Sequence, residues 1–130
     1  MRIGTGYDSH RFAEGRPLVL GGVDIPDHPG LSGHSDGDAV AHAVIDALLG
    51  AAAAGNVGSH FPPGDDAWKD ADSMELLRRA VLILEERNYQ VVNVDVTVVA
   101  ESPRVGPWVS RMRERLGAVL KVGPARVSVK

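Results

Sequence analysis

The chain predicts a single α/β domain. Strand-like and helix-like apolar patterns alternate along it, glycine and proline punctuate them, and 44% of its 130 residues are hydrophobic, enough for one core without staples. The first strand reads over residues 2–8, where a period of two sends Asp8 and His10 to one face. A hairpin-like pair follows over Pro17–Pro26, with Gly21-Gly22 as its turn. A helix is predicted from Asp36 to Ala54, with Ser35 as its N-cap and His42 about two turns in. Its alanines Ala39, Ala43, Ala47, Ala51 and Ala54 would let another backbone approach closely, while Val40, Val44, Ile45, Leu48 and Leu49 fill a core.

The segment Asn56–Ala71 is too long and too rich in Gly and Pro for a plain connector, which makes it a functional-loop candidate beside the ordinary surface-loop reading. A second helix starts near Ser73, with Asp72 and Glu75 spaced for a reciprocal cap, turns Leu77, Ala80, Val81 and Leu84 inward and ends near Asn88. Val92, Val94, Val96 and Val98 then alternate with polar residues as a strand that breaks at Glu101–Pro107. A third helix runs from about Trp108 to Leu120, and Arg126–Lys130 reads as a strand with no visible end. There is no internal repeat, low-complexity tract or domain linker.

Composition excludes several classes. There is no cysteine, so disulfides and thiolate ligands are ruled out, and any transition metal must be held by His and carboxylate. The longest apolar stretch, Ala39 to Ala54, is interrupted by His42, Asp46 and Gly50, and the first strand reads from Arg2, so the expectation is a soluble, untargeted, cytoplasmic protein with no membrane contact. The net charge of -3 hides an asymmetry: residues 1–100 hold 7 Lys/Arg against 15 Asp/Glu, and residues 101–130 hold 7 against 2. Arg111, Arg113 and Arg115 alternate with the apolar positions Val109, Met112, Leu116 and Val119, which reads as a solvated helix face. No aromatic stacking platform accompanies these cations, so no nucleic-acid partner is expected.

The chemistry lies in Asp8, His10 and His42. Each alone is an ordinary polar residue; together they form a three-ligand set that leaves a position open for water or substrate, as catalytic zinc sites do. Asp46, one turn after His42, is placed to support an imidazole nitrogen, or else to be a solvated helix residue. Ser35 and the helix start offer free N–H groups to an anion, and His34 adds a donor. A Lewis-acidic ion beside an anion site points to a phosphorylated substrate. His28 and His60 have no comparable arrangement and are read as loop residues.

The ordered blocks Gly6-Tyr7-Asp8-Ser9-His10-Arg11-Phe12, Leu20-Gly21-Gly22, His34-Ser35-Asp36-Gly37-Asp38, Asp46-Ala47-Leu48-Leu49-Gly50-Ala51, Phe61-Pro62 and Lys69-Asp70-Ala71-Asp72-Ser73 closely resemble the 2-C-methyl-D-erythritol 2,4-cyclodiphosphate synthase family of the non-mevalonate isoprenoid pathway. The resemblance covers essentially the whole chain. It implies a two-layer α+β subunit, a mixed β-sheet packed on one side by helices, in a homotrimer with active sites shared between neighbours. It implies Zn²⁺, or another divalent ion, on Asp8, His10 and His42, and Mg²⁺ or Mn²⁺ with the substrate phosphates. His34 maps onto the catalytic transition-state stabiliser, and His34 and Ser35 onto the phosphate contacts. Asn56, Val57 and Gly58 fall where the family holds ribose and methylerythritol; Phe61, Pro62, Pro63, Gly64 and Asp65 form the lid; Ala100, Glu101, Ser102, Pro103, Arg104, Val105 and Gly106 form the cytosine pocket.

By the same resemblance the trimer axis encloses a cavity for an isoprenoid diphosphate. The implied reaction converts 4-diphosphocytidyl-2-C-methyl-D-erythritol 2-phosphate to the cyclic diphosphate and releases CMP. Three departures bear on it: Asn56 stands where the family usually has Asp, Pro63-Gly64 alters the lid, and the family continues past Lys130 with a Thr-Thr-x-Glu-like segment and a final strand. The expectation is therefore one domain over residues 1–130 whose C-terminal strand is missing. Two other classes fit part of the pattern: a zinc-dependent phosphoesterase and a non-catalytic trimer that binds isoprenoid diphosphate.

Overall fold

Three helices form one layer, and short strands pack against it. The computed structural model describes residues 1–130. Helix α1 (Ala39–Ala51) packs against α3 (Ser73–Glu86), which packs in turn on α4 (Val109–Leu120); a single turn, α2 (Val57–His60), follows α1. The core sits between them: Ile45 and Leu49 of α1, Leu77 and Ala80 of α3 and Met112 and Leu116 of α4 are fully buried. These are the positions that the three helical patterns turn inward, and closing them away from water is the main stabilising contribution.

The strands do not form one mixed sheet. They pair two by two: β1 (Phe12–Ala13) with β4 (Gly30–Leu31) and β2 (Leu18–Leu20) with β3 (Val23–Ile25), both antiparallel, and β5 (Val94–Val96) with β6 (Val127–Val129), parallel. The β2–β3 hairpin is the predicted one, and its turn requires glycine because Gly21 and Gly22 both have positive φ, 58° and 74°. The predicted final strand is β6, in register with β5 through Val94–Val127 and Val96–Val129. Arg113 is not a solvated residue: its guanidinium donates to the carbonyls of Val127 (2.8 Å) and Pro124 (2.9 Å), joining α4 to β6.

Residues 2–8 are not a strand. Their backbone joins no ladder, and the segment lies across α1 instead. A Cβ at Gly4 would fall 1.8 Å from the carbonyl oxygen of Ala47, and one at Gly6 would fall 1.9 Å from that of Ala43. The alanine face of α1 therefore does receive another backbone, and glycine on one side with alanine on the other makes the approach possible. This contact carries Asp8 and His10 to the helix that bears His42.

Both helix starts differ from expectation. Helix α1 begins at Ala39, capped by Asp38 and not by Ser35, so His42 sits one turn in. Asp38 is fully buried and accepts from the N–H groups of Gly21 (2.9 Å), Gly22 (2.7 Å) and Ala41 (2.9 Å), tying the hairpin turn to the helix. Burial outweighs these donors and pushes its carboxyl up to about 6. Helix α3 is capped by Asp72, which accepts from Met74 N–H, while Glu75 pairs with Arg78 and Arg79 and does not reach back.

Candidate metal centre

Asp8, His10 and His42 converge from an extended segment and a helix onto one point. Their ligand atoms all lie within 4.8 Å of one another. Asp8 Oδ2 is 2.6 Å from His10 Nδ1 and 3.8 Å from His42 Nδ1. The donors of a tetrahedral zinc site stand about 3.3 Å apart when the bonds are about 2.0 Å, so the set brackets that spacing. Asp8 Oδ2 and His10 Nδ1 are buried and make no hydrogen bond. Buried polar atoms are seldom left so, and two facing ones beside a third donor fit a shared divalent cation. The set has two imidazoles and one carboxylate, which leaves a position open. Burial holds the His42 imidazole below its ordinary pKa, against the opposing charge of Asp8, so the ring is neutral at pH 7 and its nitrogen available as a ligand.

The other nitrogen of His42 is held elsewhere than expected. Asp46 does not reach it; its carboxylate accepts from Val57 N–H at 2.7 Å and so fixes the start of α2. His42 Nε2 instead lies 2.9 Å from Ser73 Oγ and 3.1 Å from Ser35 Oγ. Behind them, Ser73 donates its hydroxyl to Asp36 Oδ1, and its N–H donates to Asp36 Oδ2 at 3.0 Å. Ser73 and Asp36 are contacts of this centre that the sequence reading missed. The spacing of 31 residues between His42 and Ser73 carries no local signal.

Ser35 touches this centre through His42, and His34 precedes it on a loop fastened from both sides. Arg16 donates to the carbonyls of Gly33 (2.6 Å) and Ser35 (2.5 Å), straddling His34. The backbone of residues 34–36 is also bonded to that of residues 70–71. His34 Nε2 donates to the Asp65 carbonyl at 2.8 Å, linking it to the lid segment. No helix start is offered to an anion as expected: Ser35 is not at a helix start, and the start of α1 is capped by the Asp38 carboxylate, which accepts from Ala41 N–H. Any phosphate contact here falls to side chains and to the loop.

The remaining predicted residues divide. Asn56 caps α2 through Ser59 and is exposed, with Val57 and Gly58 beside it. Pro62, Pro63, Gly64 and Asp65 are exposed, but Phe61 is a core residue, edge-on to Trp68 at 5.2 Å. Residues 100–106 form a largely exposed loop, anchored where Ser102 donates to His28 Nε2 at 3.0 Å. An apolar groove of about 490 Å³ runs from Asp8 and His10 past Leu31, Val40 and Val96 to Ser102 and Pro103, so two of the three candidate ligands and part of this loop line one groove, while His42 lies outside its lining.

Fold and site together define an α+β protein with two histidines and one carboxylate placed as a candidate metal centre. A profile of the YgbB family matches residues 1–130, and the chain belongs to that family. The 2-C-methyl-D-erythritol 2,4-cyclodiphosphate synthase of Symbiobacterium thermophilum is 62% identical over 130 residues, covering 100% of this chain and 83% of that protein. Among solved structures, the bifunctional IspDF from Campylobacter jejuni superimposes with a TM-score of 0.95 at 40% identity, covering 99% of this chain but 35% of that longer one. A 2C-methyl-D-erythritol-2,4-cyclodiphosphate synthase in a form bound to CDP superimposes with a TM-score of 0.89 at 38% identity, over 98% of this chain and 85% of that one. The function these relatives support is that of 2-C-methyl-D-erythritol 2,4-cyclodiphosphate synthases.

Proposed function

We propose that the chain converts 4-diphosphocytidyl-2-C-methyl-D-erythritol 2-phosphate to the cyclic diphosphate with release of CMP, acting as a divalent-metal-dependent phosphorus–oxygen lyase. The observation that carries this is the convergence of Asp8, His10 and His42, with two buried ligand atoms free of hydrogen bonds and Ser35 in contact with His42. An oxygen of the 2-phosphate attacks the β-phosphorus; the bond from that phosphorus to the bridging oxygen breaks, and CMP leaves with the electron pair. A phosphate monoester whose second pKa is about 6 is already largely dianionic near pH 7, so no general base is required. What the protein must do is hold two anions in line and offset their charge.

Asp8, His10 and His42 would hold Zn²⁺ or another divalent ion. Bound there, the ion supplies Lewis acidity and a template for the phosphates, with Mg²⁺ or Mn²⁺ accompanying the diphosphate. His34, once its Nε2–H leaves the Asp65 carbonyl, is the residue that would donate to the charge developing on phosphorus, and Ser35 a nearby hydroxyl contact. Asn56, Val57 and Gly58 would meet the sugar portions, with Asp46 keeping Val57 in place. Residues 61–65 would close over the substrate, Phe61 serving as the buried anchor of that lid. Residues 100–106 would read cytosine. The working unit is a homotrimer in which this loop faces the metal centre of a neighbour, with an axial cavity suited to an isoprenoid diphosphate. No helix is long and apolar enough to cross a membrane, and the proposed compartment is the cytoplasm.

Incubation of the CDP-linked substrate with the metal-loaded protein tests the reading. CMP and the cyclic diphosphate should appear in equal amounts. Inorganic phosphate in their place would identify a phosphoesterase, and no turnover would favour the binding trimer.

A further inference from the structure

We propose that Ser73 and Asp36 are positioning residues that lock His42 in its Nε2–H tautomer and so present the Nδ1 lone pair to the divalent ion. The inference rests on the metal centre proposed above and deepens it. Neutral imidazole has one donor nitrogen and one acceptor nitrogen, and which is which depends on the partner of each. The hydroxyl hydrogen of Ser73 is committed to Asp36, an acceptor-only carboxylate. Asp36 cannot turn away, because it also accepts from the N–H groups of Ser73 (3.0 Å) and Asp38 (3.0 Å). Ser73 Oγ therefore offers a lone pair to His42 Nε2 at 2.9 Å, and that nitrogen must carry the hydrogen.

Ser35 Oγ, 3.1 Å from the same nitrogen, does not compete for the opposite tautomer. It accepts from Gly37 N–H at 3.3 Å and has Ser73 Oγ at 3.4 Å as an outlet for its own hydrogen. The chain carboxylate, hydroxyl, imidazole, ion resembles the carboxylate–histidine–metal arrangement of many metal sites, with a serine interposed. Ser73 is fully buried at the first position of α3, so the relay is also the joint through which α3 and α1 set the orientation of the ring.

The test begins on the metal-free wild-type protein with long-range ¹H–¹⁵N correlation of the histidine rings. His42 should show the Nε2–H pattern before any metal is added; the Nδ1–H pattern would overturn the proposal whatever the variants do. Zinc affinity is then measured by chelator competition for wild type, Ser73→Ala and Ser73→Thr, with circular dichroism to verify folding. Loss of a supporting partner of a metal-bound histidine costs roughly 10- to 100-fold in affinity, and Ser73→Ala should show this together with a mixed tautomer. Ser73→Thr keeps the hydroxyl and should restore both. A folded Ser73→Ala protein with wild-type affinity and a pure Nε2–H signal would refute the role. Failure of the metal centre itself reads differently: the Nε2–H tautomer present in wild type, but no zinc bound by any of the three proteins.

Discussion

Gly6→Ala is the substitution that most directly separates the seating of the N-terminal segment from the stability of the core. The added Cβ would lie 1.9 Å from the Ala43 carbonyl oxygen and 2.7 Å from the Ala47 nitrogen, both backbone atoms of α1. Neither can rotate aside. Carbon atoms pack at about 3.5 Å or more from their neighbours, so the segment must withdraw by roughly 1.5 Å. Metal-to-ligand distances keep within about 0.2 Å of their ordinary values, and Asp8 lies two residues along the chain. Misplacement on the scale of about 1 Å costs on the order of 100-fold at a reacting centre, so zinc should bind about 100-fold more weakly, which is roughly 2.7 kcal/mol. The core should be little affected, because residues 2–8 join no ladder and Gly6 is exposed. Chelator competition reads the affinity, and thermal denaturation of the metal-free protein reads the core. Wild-type zinc affinity in Gly6→Ala would refute the seating argument, as would a collapse of metal-free stability that exceeds the loss in binding.

Other outcomes follow from particular contacts. His42→Ala should abolish tight zinc binding and activity, and an undiminished zinc stoichiometry would remove the site. Asp38 has its carboxyl raised from 3.8 to about 6 by burial, so the folded state holds a proton between those values that the unfolded state has released. Its stabilising contribution is complete below pH 3.8 and is lost as pH rises through about 6, an effect of roughly 3 kcal/mol. Urea unfolding from pH 4 to pH 7 should show that slope in wild type and not in Asp38→Asn; equal slopes would contradict it. Arg16→Ala releases the carbonyls on either side of His34 and should lower turnover about tenfold or more, as loss of positioning does, while leaving zinc stoichiometry unchanged. Light scattering at micromolar concentration should find a particle three times the 13.8 kDa chain mass; a monomer would count against shared active sites.

The features legible in the sequence are those with a local cause. Gly21-Gly22 forced a turn between two short strands, the periodicity of Leu77, Ala80, Val81 and Leu84 marked the buried face of α3, and the alanines of α1 marked a close approach. Asp8, His10 and His42 were legible as a set because their residue types leave little other reason to converge. What escaped depends on which of several competent partners wins. Asp46 is one turn from His42, yet it caps the following turn at Val57, and the ring goes to Ser73. Ser35 has a capping side chain, but Asp38 outcompetes it because its two oxygens serve the helix and the glycine turn together. The segment 2–8 alternates like a strand, but its glycines seat it on α1, away from any ladder partner.

The central claim is that Asp8, His10 and His42 form one metal centre, and zinc-edge X-ray absorption on the wild-type protein loaded with a single equivalent tests it most directly. The account predicts a first shell of nitrogen and oxygen at about 2.0 to 2.2 Å, with outer-shell scattering from two imidazoles that falls to one in His42→Ala. A first shell of oxygen alone, or imidazole scattering that His42→Ala leaves unchanged, would contradict it.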